Sequence, residues 1–241
     1  MRSRNIGLDV MKILLALIVF FFHCYCHLGI HFGVFQHFIE QGAVAMTGFF
    51  MLSGYIMYLI YRETDYSVIN NLRKFYIKRL ATILPVYYVV GLVYTVLWIA
   101  TGRISTVKAI LIFPVELLGL QSVFSSLFSI AHNQGTWFIS CLLLCYFIFP
   151  LICFLVKNLS KRDSLIGIVI MYLIASYPIV IIRSFDTMGV YSNPFFRGVE
   201  FTIGIMLGRI IENFKAVNSK SKMNIVFIPS AMLLWGGNTY F

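Results

Sequence analysis
A helix that crosses a bilayer needs about 20 consecutive apolar residues to cover a hydrocarbon core about 30 Å thick, and this chain repeats that pattern along its whole length. Seven runs qualify: Val10–Leu28, Ala43–Tyr61, Ile83–Ala100, Phe138–Val156, Leu165–Ile182, Phe195–Ile211 and Ile225–Phe241. An eighth, Ala109–Phe128, is broken by Pro114 and by polar Gln121 and Ser122, and is expected to be non-crossing or re-entrant. Backbone groups in lipid must be satisfied inside helices or closed barrels, and these runs are far longer than barrel strands. The expected fold class is therefore all-α, a polytopic transmembrane helix bundle of about seven spans. Composition agrees, since 60% hydrophobic and 12% charged residues leave too little polar surface to clothe a soluble globule of 241 residues.

A net charge of +10 raises the question of a nucleic-acid partner, and the placement of the charge answers it. With the N-terminus in the cytoplasm, 15 of the 19 basic residues fall at cytoplasmic ends; Arg103, Lys108, Arg183 and Arg197 are the exceptions. That is the positive-inside bias, which holds only if Ala109–Phe128 makes no net crossing. The charge orients the protein in its membrane, and no nucleic acid is expected. Arg2 and Arg4 precede the first apolar run as in a signal peptide, but no small-x-small cleavage site follows, so the run reads as a retained span. The five cysteines all lie inside apolar runs and point to no disulfide framework.

No linker, low-complexity tract or internal repeat interrupts the alternation of spans and loops, so residues 1–241 read as a single domain. Two connections stand out. Arg62–Thr82 contains Arg73-Lys74-Phe75-Tyr76-Ile77-Lys78-Arg79, an interleaving of basic and aromatic residues expected of an interfacial helix held by lipid phosphates. Thr101–Thr136 is long and partly apolar, as expected of a segment that caps a cavity. The chain stops abruptly with Trp235-Gly236-Gly237-Asn238-Thr239-Tyr240-Phe241, which suggests a truncated chain or a short family variant.

Ionisable groups within spans are costly and tend to mark a site. The first span holds the densest set. His23 lies eleven positions after Lys12, three turns plus about 20° with a rise of about 16 Å, so both lie on one helix face. His27 follows one turn later, and Asp9 lies one turn before Lys12 and can pair with it. Lys12 alone is explained by snorkelling, and a lone intramembrane histidine by an interhelical hydrogen bond. The functional reading of His23 is a general base, because an imidazole pKa of about 6.5 suits proton transfer near neutrality. A metal site on His23 and His27 is disfavoured, since Cys24 and Cys26 point to other faces. Arg197 and Glu200, one turn apart, fit either an ion pair at the outer interface or a charged pair facing a cavity.

Several stretches together resemble the membrane-bound acyltransferase 3 family. Asn5-Ile6-Gly7-Leu8-Asp9-Val10-Met11-Lys12, ten further residues and His23 are similar to the family's opening, and Gly48-Phe49-Phe50-Met51-Leu52-Ser53-Gly54 resembles its Phe-Phe-x-x-Ser-Gly signature. Phe75-Tyr76-Ile77-Lys78-Arg79 with Ile83-Leu84-Pro85 resembles the basic stretch before the third span. Trp137-Phe138-Ile139-Ser140 resembles the Trp-Phe branch, and Asn193-Pro194-Phe195-Phe196-Arg197 through Glu200 and Gly204 the sixth-span region. Thr82 stands where the family often has a second arginine, and the glutamate of the Trp-Ser-Leu branch is lacking.

The resemblance implies an enzyme of the bacterial inner membrane that moves acyl groups, usually acetyl, from acyl-CoA to sugars of envelope polysaccharides. It implies His23 as the catalytic residue, Lys12 and Arg79 at the acyl donor, and Asp9, Ser53, Trp137 and Glu200 in substrate-binding or supporting roles. Acyl-CoA is then a co-substrate, with no bound cofactor or metal; the partners are the bilayer, acyl-CoA and a carbohydrate acceptor. The family's usual ten spans imply that two or three are missing at the C-terminus. Two other readings are compatible with the same residues: a transporter or flippase using intramembrane Lys, His and Glu, and an inactive truncated remnant.

Overall fold
The computed structural model describes residues 6–123, 134–181 and 191–217. Among them every regular element is helical: α1 (Ile6–Leu28), α2 (Gln36–Glu40), α3 (Val44–Tyr61), α4 (Ile69–Ala100), α5 (Thr106–Leu117), α6 (Trp137–Lys157), α7 (Lys161–Ile181) and α8 (Pro194–Val217), with short 3-10 turns before α2, α3 and α6. Four helices are long and apolar enough to cross a membrane: α1, α3 with the turns leading into it, α4 and α6. The expected seventh run, Ile225–Phe241, lies outside the described residues, as do Ile182 and residues 124–128 of the eighth run.

The centre of the molecule is a trio of parallel helices. Thr47 meets Glu200 and Tyr58 meets Glu212, so α3 and α8 keep a nearly constant sequence offset over three turns. Phe50 meets Trp137 and Tyr61 meets Phe149, which sets α6 parallel to α3 in the same way. Their shared core holds Phe50, Met57, Tyr58, Cys141, Cys145, Phe149, Phe201 and Ile205. Glycine brings α3 and α8 together: a Cβ on Gly54 would collide with the carbonyl oxygen of Phe201, and one on Gly204 with that of Met51. Small residues that let backbones approach are how helices associate where no hydrophobic force separates protein from solvent.

The other long helices pack antiparallel around this trio. Leu15 of α1 packs on Leu52 and Tyr55 of α3, Phe75 of α4 stacks on Phe149 of α6, and Ala175 of α7 meets Val199 and Ile203 of α8. The outward faces of α1, α4 and α6 carry exposed Ile13, Leu17, Phe20, Val86, Val89, Leu92, Phe147 and Leu151. Large apolar side chains left exposed among the described residues suit a lipid-facing surface.

One expectation changes. The basic stretch Arg73–Arg79 is not a separate interfacial helix; it forms the first turns of α4, which runs unbroken through Pro85 for 32 residues. A 32-residue helix rises about 48 Å, well beyond the hydrocarbon thickness, so its basic turns extend past the apolar part. Pro85 removes one backbone bond without ending the helix, as is common in membrane helices. Among its described residues the eighth run yields α5, whose 12 residues rise about 18 Å and are too short to cross. Ser105 opens α5 by accepting the Lys108 N–H at 3.2 Å. Beyond it Gly119, with φ +64°, turns the chain back. Gln121 then donates to the Thr136 hydroxyl at 2.7 Å, and the Ser122 hydroxyl to the Trp137 carbonyl at 3.1 Å. The described part of the long connection is thereby fastened onto the start of α6.

Candidate functional site
The expected site residues fall into three groups strung along the bundle. The first is on α1. That helix ends at Leu28 because Gly29 adopts φ +64° and the N–H groups of Gly29 and Ile30 turn back to the carbonyls of Tyr25 and Cys24. Leu8, Met11, Leu15, Ile18 and Val19 form its packed stripe. At 100° per residue, Lys12 and His23 lie about 60° and 80° to one side of Leu15, bordering that stripe on the Val19 side. Both are exposed within the described residues. Lys12 Nζ is 3.7 Å from Asp9, so the pairing expected from the i, i+3 spacing forms. The rings of His23 and His27 stack at 5.4 Å with 8° between planes.

Phe22 fixes the height of His23 in the bundle. It lies against Gly42, just ahead of α3, where a Cβ would meet the Phe22 side chain. His23 therefore sits level with the beginning of α3, at the end of the bundle opposite the basic turns of α4.

The second group is buried at that same end. Arg197 and Glu200 are 6% and 3% exposed and pair at 2.7 Å. Burial removes the reading of an ion pair at the outer interface: the two charges are enclosed between α3, α6 and α8. The Thr47 hydroxyl, also buried, donates to Glu200 Oε1 at 2.9 Å and accepts from Arg197 Nη1 at 3.1 Å. Arg197 Nε donates to the Tyr191 carbonyl at 2.8 Å. Its guanidinium lies 5.0 Å from the Tyr191 ring, 5.7 Å from Trp137 and 5.8 Å from Phe50. Cation-π contacts of this kind strengthen when water is excluded. Glu200 and Trp137 thus share one buried cluster, which extends through Thr136 and Gln121 to the Tyr87 hydroxyl on α4.

The third group lies towards the basic end. Arg79 Nη2 donates to the Tyr61 hydroxyl at 2.6 Å, and the guanidinium lies 4.7 Å from the Tyr61 ring centroid and 5.8 Å from that of Tyr146. Tyr146 in turn meets Ser53 and Arg79 through its hydroxyl. Ser53 and Arg79, expected separately, are joined here. Thr82 turns its hydroxyl back onto the Lys78 carbonyl at 2.7 Å. Close by, Tyr58, Arg62 and Arg209 converge on Glu212 at 2.9, 3.1 and 3.5 Å, fastening the ends of α3 and α8.

Thr47, Tyr61, Tyr146 and Tyr191 were not expected at the site. Thr47 carried a faint signal as a polar residue in an apolar run, two positions before Phe49-Phe50. Nothing in the sequence pairs it with Glu200, which is 153 residues away.

A bundle of apolar helices enclosing an ion pair and presenting a histidine and a lysine along one flank is a polytopic membrane protein with polar chemistry inside its spans. The chain belongs to the acyltransferase 3 family, whose acyltransferase domain matches residues 5–241. It is accordingly a membrane acyltransferase. Among curated proteins and among solved structures, nothing matches it.

Proposed function
We propose that this acyltransferase moves an acyl group, acetyl in the simplest case, from acyl-CoA to a hydroxyl of a cell-envelope or exopolysaccharide sugar. It acts as a single domain of about seven spans in a bacterial inner membrane, with its N-terminus in the cytoplasm. His23 takes the proton of the acceptor hydroxyl as the oxygen attacks the thioester carbonyl. The C–S bond breaks, the C–O bond forms, and the CoA sulfur leaves with a proton returned by the imidazolium. Lys12, steadied by Asp9, and Arg79 hold the anionic donor, while Ser53, Trp137 and Glu200 support the groups that contact substrate.

The observation that carries this reading is the axial separation of the groups. His23 stands level with the beginning of α3, whereas Arg79 meets Tyr61 at its end, and the 14 residues from Thr47 to Tyr61 alone rise about 21 Å. A donor with its phosphates at one end and its thioester on a long flexible arm matches that spacing. Among the described residues nothing covers Lys12 and His23 on the flank of α1, where such a ligand would lie.

The test is His23→Ala in the full chain, with membrane insertion checked in parallel and acetylated envelope glycans quantified by mass spectrometry. Acylation is expected to fall by at least about a hundredfold, the contribution usual for a general base. Unchanged acylation removes His23 from the chemistry. His27→Ala, which leaves His23 in place, is expected to act far more weakly.

A further inference from the structure
Among the described residues the Arg79 guanidinium is held by tyrosines. Nη2 is taken up by the Tyr61 hydroxyl, and the rings of Tyr61 and Tyr146 lie 4.7 and 5.8 Å from the guanidinium carbon. Nη1 makes no hydrogen bond to the described residues and is not enclosed by them, whereas Nε is shut off from solvent and also donates to nothing among them. Buried donors without acceptors are rare because the lost hydration is not replaced. No carboxylate among the described residues pairs with Arg79, although Arg62, Arg197 and Arg209 each have one. Thr82, one turn along α4, offers nothing, since its hydroxyl is turned onto Lys78. A guanidinium anchored through one terminal nitrogen beside two aromatic rings, with its other terminal nitrogen open, is set to receive an oxyanion there.

We infer that Tyr61 and Tyr146 are positioning residues that orient Arg79 so that its open N–H meets a phosphate oxygen of the acyl donor. This rests on the acyl-CoA reading of the same site. The two tyrosines divide the work. Tyr61 fixes rotation of the guanidinium in its plane through the hydrogen bond at 2.6 Å. Tyr146, which also meets Ser53, sets its tilt and ties it to α3. A lysine at this position would have neither a plane to stack nor a fixed edge to present.

The same chemistry would fit a lipid phosphate, so the experiment separates the two sources. Full-length chain purified in maltoside micelles is titrated calorimetrically with CoA and, separately, with phosphatidylglycerol, using wild type, Tyr61→Phe, Tyr146→Phe, Arg79→Lys and Ser53→Ala. The phenylalanine variants keep the stacked rings and remove only the hydroxyl. Wild type is expected to bind CoA, each phenylalanine variant to bind it about tenfold more weakly, and Arg79→Lys to lose more than either. In turnover, the phenylalanine variants should raise KM for the acyl donor while kcat stays within about twofold, a split that general loss of fold does not produce. Should a phenylalanine variant fail to fold, Ser53→Ala reads the Tyr146 anchor independently and is expected to weaken CoA binding in the same direction. CoA binding unchanged in both phenylalanine variants overturns the positioning role and leaves the acyl-CoA reading standing. A wild type that binds phosphatidylglycerol through Arg79 and does not bind CoA overturns both.

Discussion
Replacing Arg197 by methionine while leaving Glu200 in place should be among the most damaging single changes in the bundle. Methionine roughly matches the length of the arginine stem, so the change removes charge and hydrogen bonds with little change in packing. Four donations disappear: to Thr47, to both oxygens of Glu200 and to the Tyr191 carbonyl. Among the described residues, a carboxylate 3% exposed is then left with the Thr47 hydroxyl as its hydrogen-bond donor. Removing one partner of a buried pair costs about 3–5 kcal/mol, because the remaining charge stays desolvated. For a chain of this size that lowers the unfolding midpoint by about 6–20 °C. The assay is thermal unfolding in lipid nanodiscs for Arg197→Met, Glu200→Leu and the double variant. Since two apolar groups leave no stranded charge, the double variant should be more stable than the sum of the singles predicts, by about 2 kcal/mol or more. Single variants that each shift the midpoint by less than about 2 °C, or a double variant equal to that sum, would refute the view that the pair is enclosed and mutually compensating.

Two further changes follow from the packing and from the loop before α4. Gly54→Ala should destabilise the bundle by about 1–3 kcal/mol, because the new Cβ meets the Phe201 backbone and no side chain can move aside to admit it; Gly91→Ala, where a Cβ meets open space, is the control, and equal unfolding midpoints for the two would contradict the close approach. In the turn between α3 and α4 the Ser67 hydroxyl and N–H donate to Asp65 at 2.7 and 3.0 Å and hold its carboxyl below the usual aspartate range. A depressed folded pKa contributes stability above the unfolded value and loses it as pH falls through the folded one. Order in this turn, read by amide exchange of Ser67, should therefore persist at neutral pH and fade only on acidification below the ordinary aspartate value, and Asp65→Asn should remove that pH dependence.

Hydropathy alone determined that this is an all-helical membrane protein, because length and apolarity decide what a bilayer accepts before any helix meets another. Spacing within one helix was equally legible. The Asp9–Lys12 pair and the shared flank of Lys12 and His23 depend only on 3.6 residues per turn. Continuity of α4 through Pro85 was not legible, since a proline next to a basic stretch reads as a boundary until a neighbouring helix supports the turns on either side.

Partners between helices belonged to tertiary structure. Neither the alternatives for Arg197 and Glu200 nor the role of Thr47 could be settled while 153 residues lay between them. The parallel register of α3 and α8 settles them by bringing their starts together. Tyr61 and Tyr146 become neighbours of Arg79 for the same reason. Sequence dictates what each helix can bury; only the packing of one helix on another decides which buried polar groups satisfy each other, because a hydrogen bond or ion pair needs atoms within about 3–4 Å, and no local pattern encodes that distance.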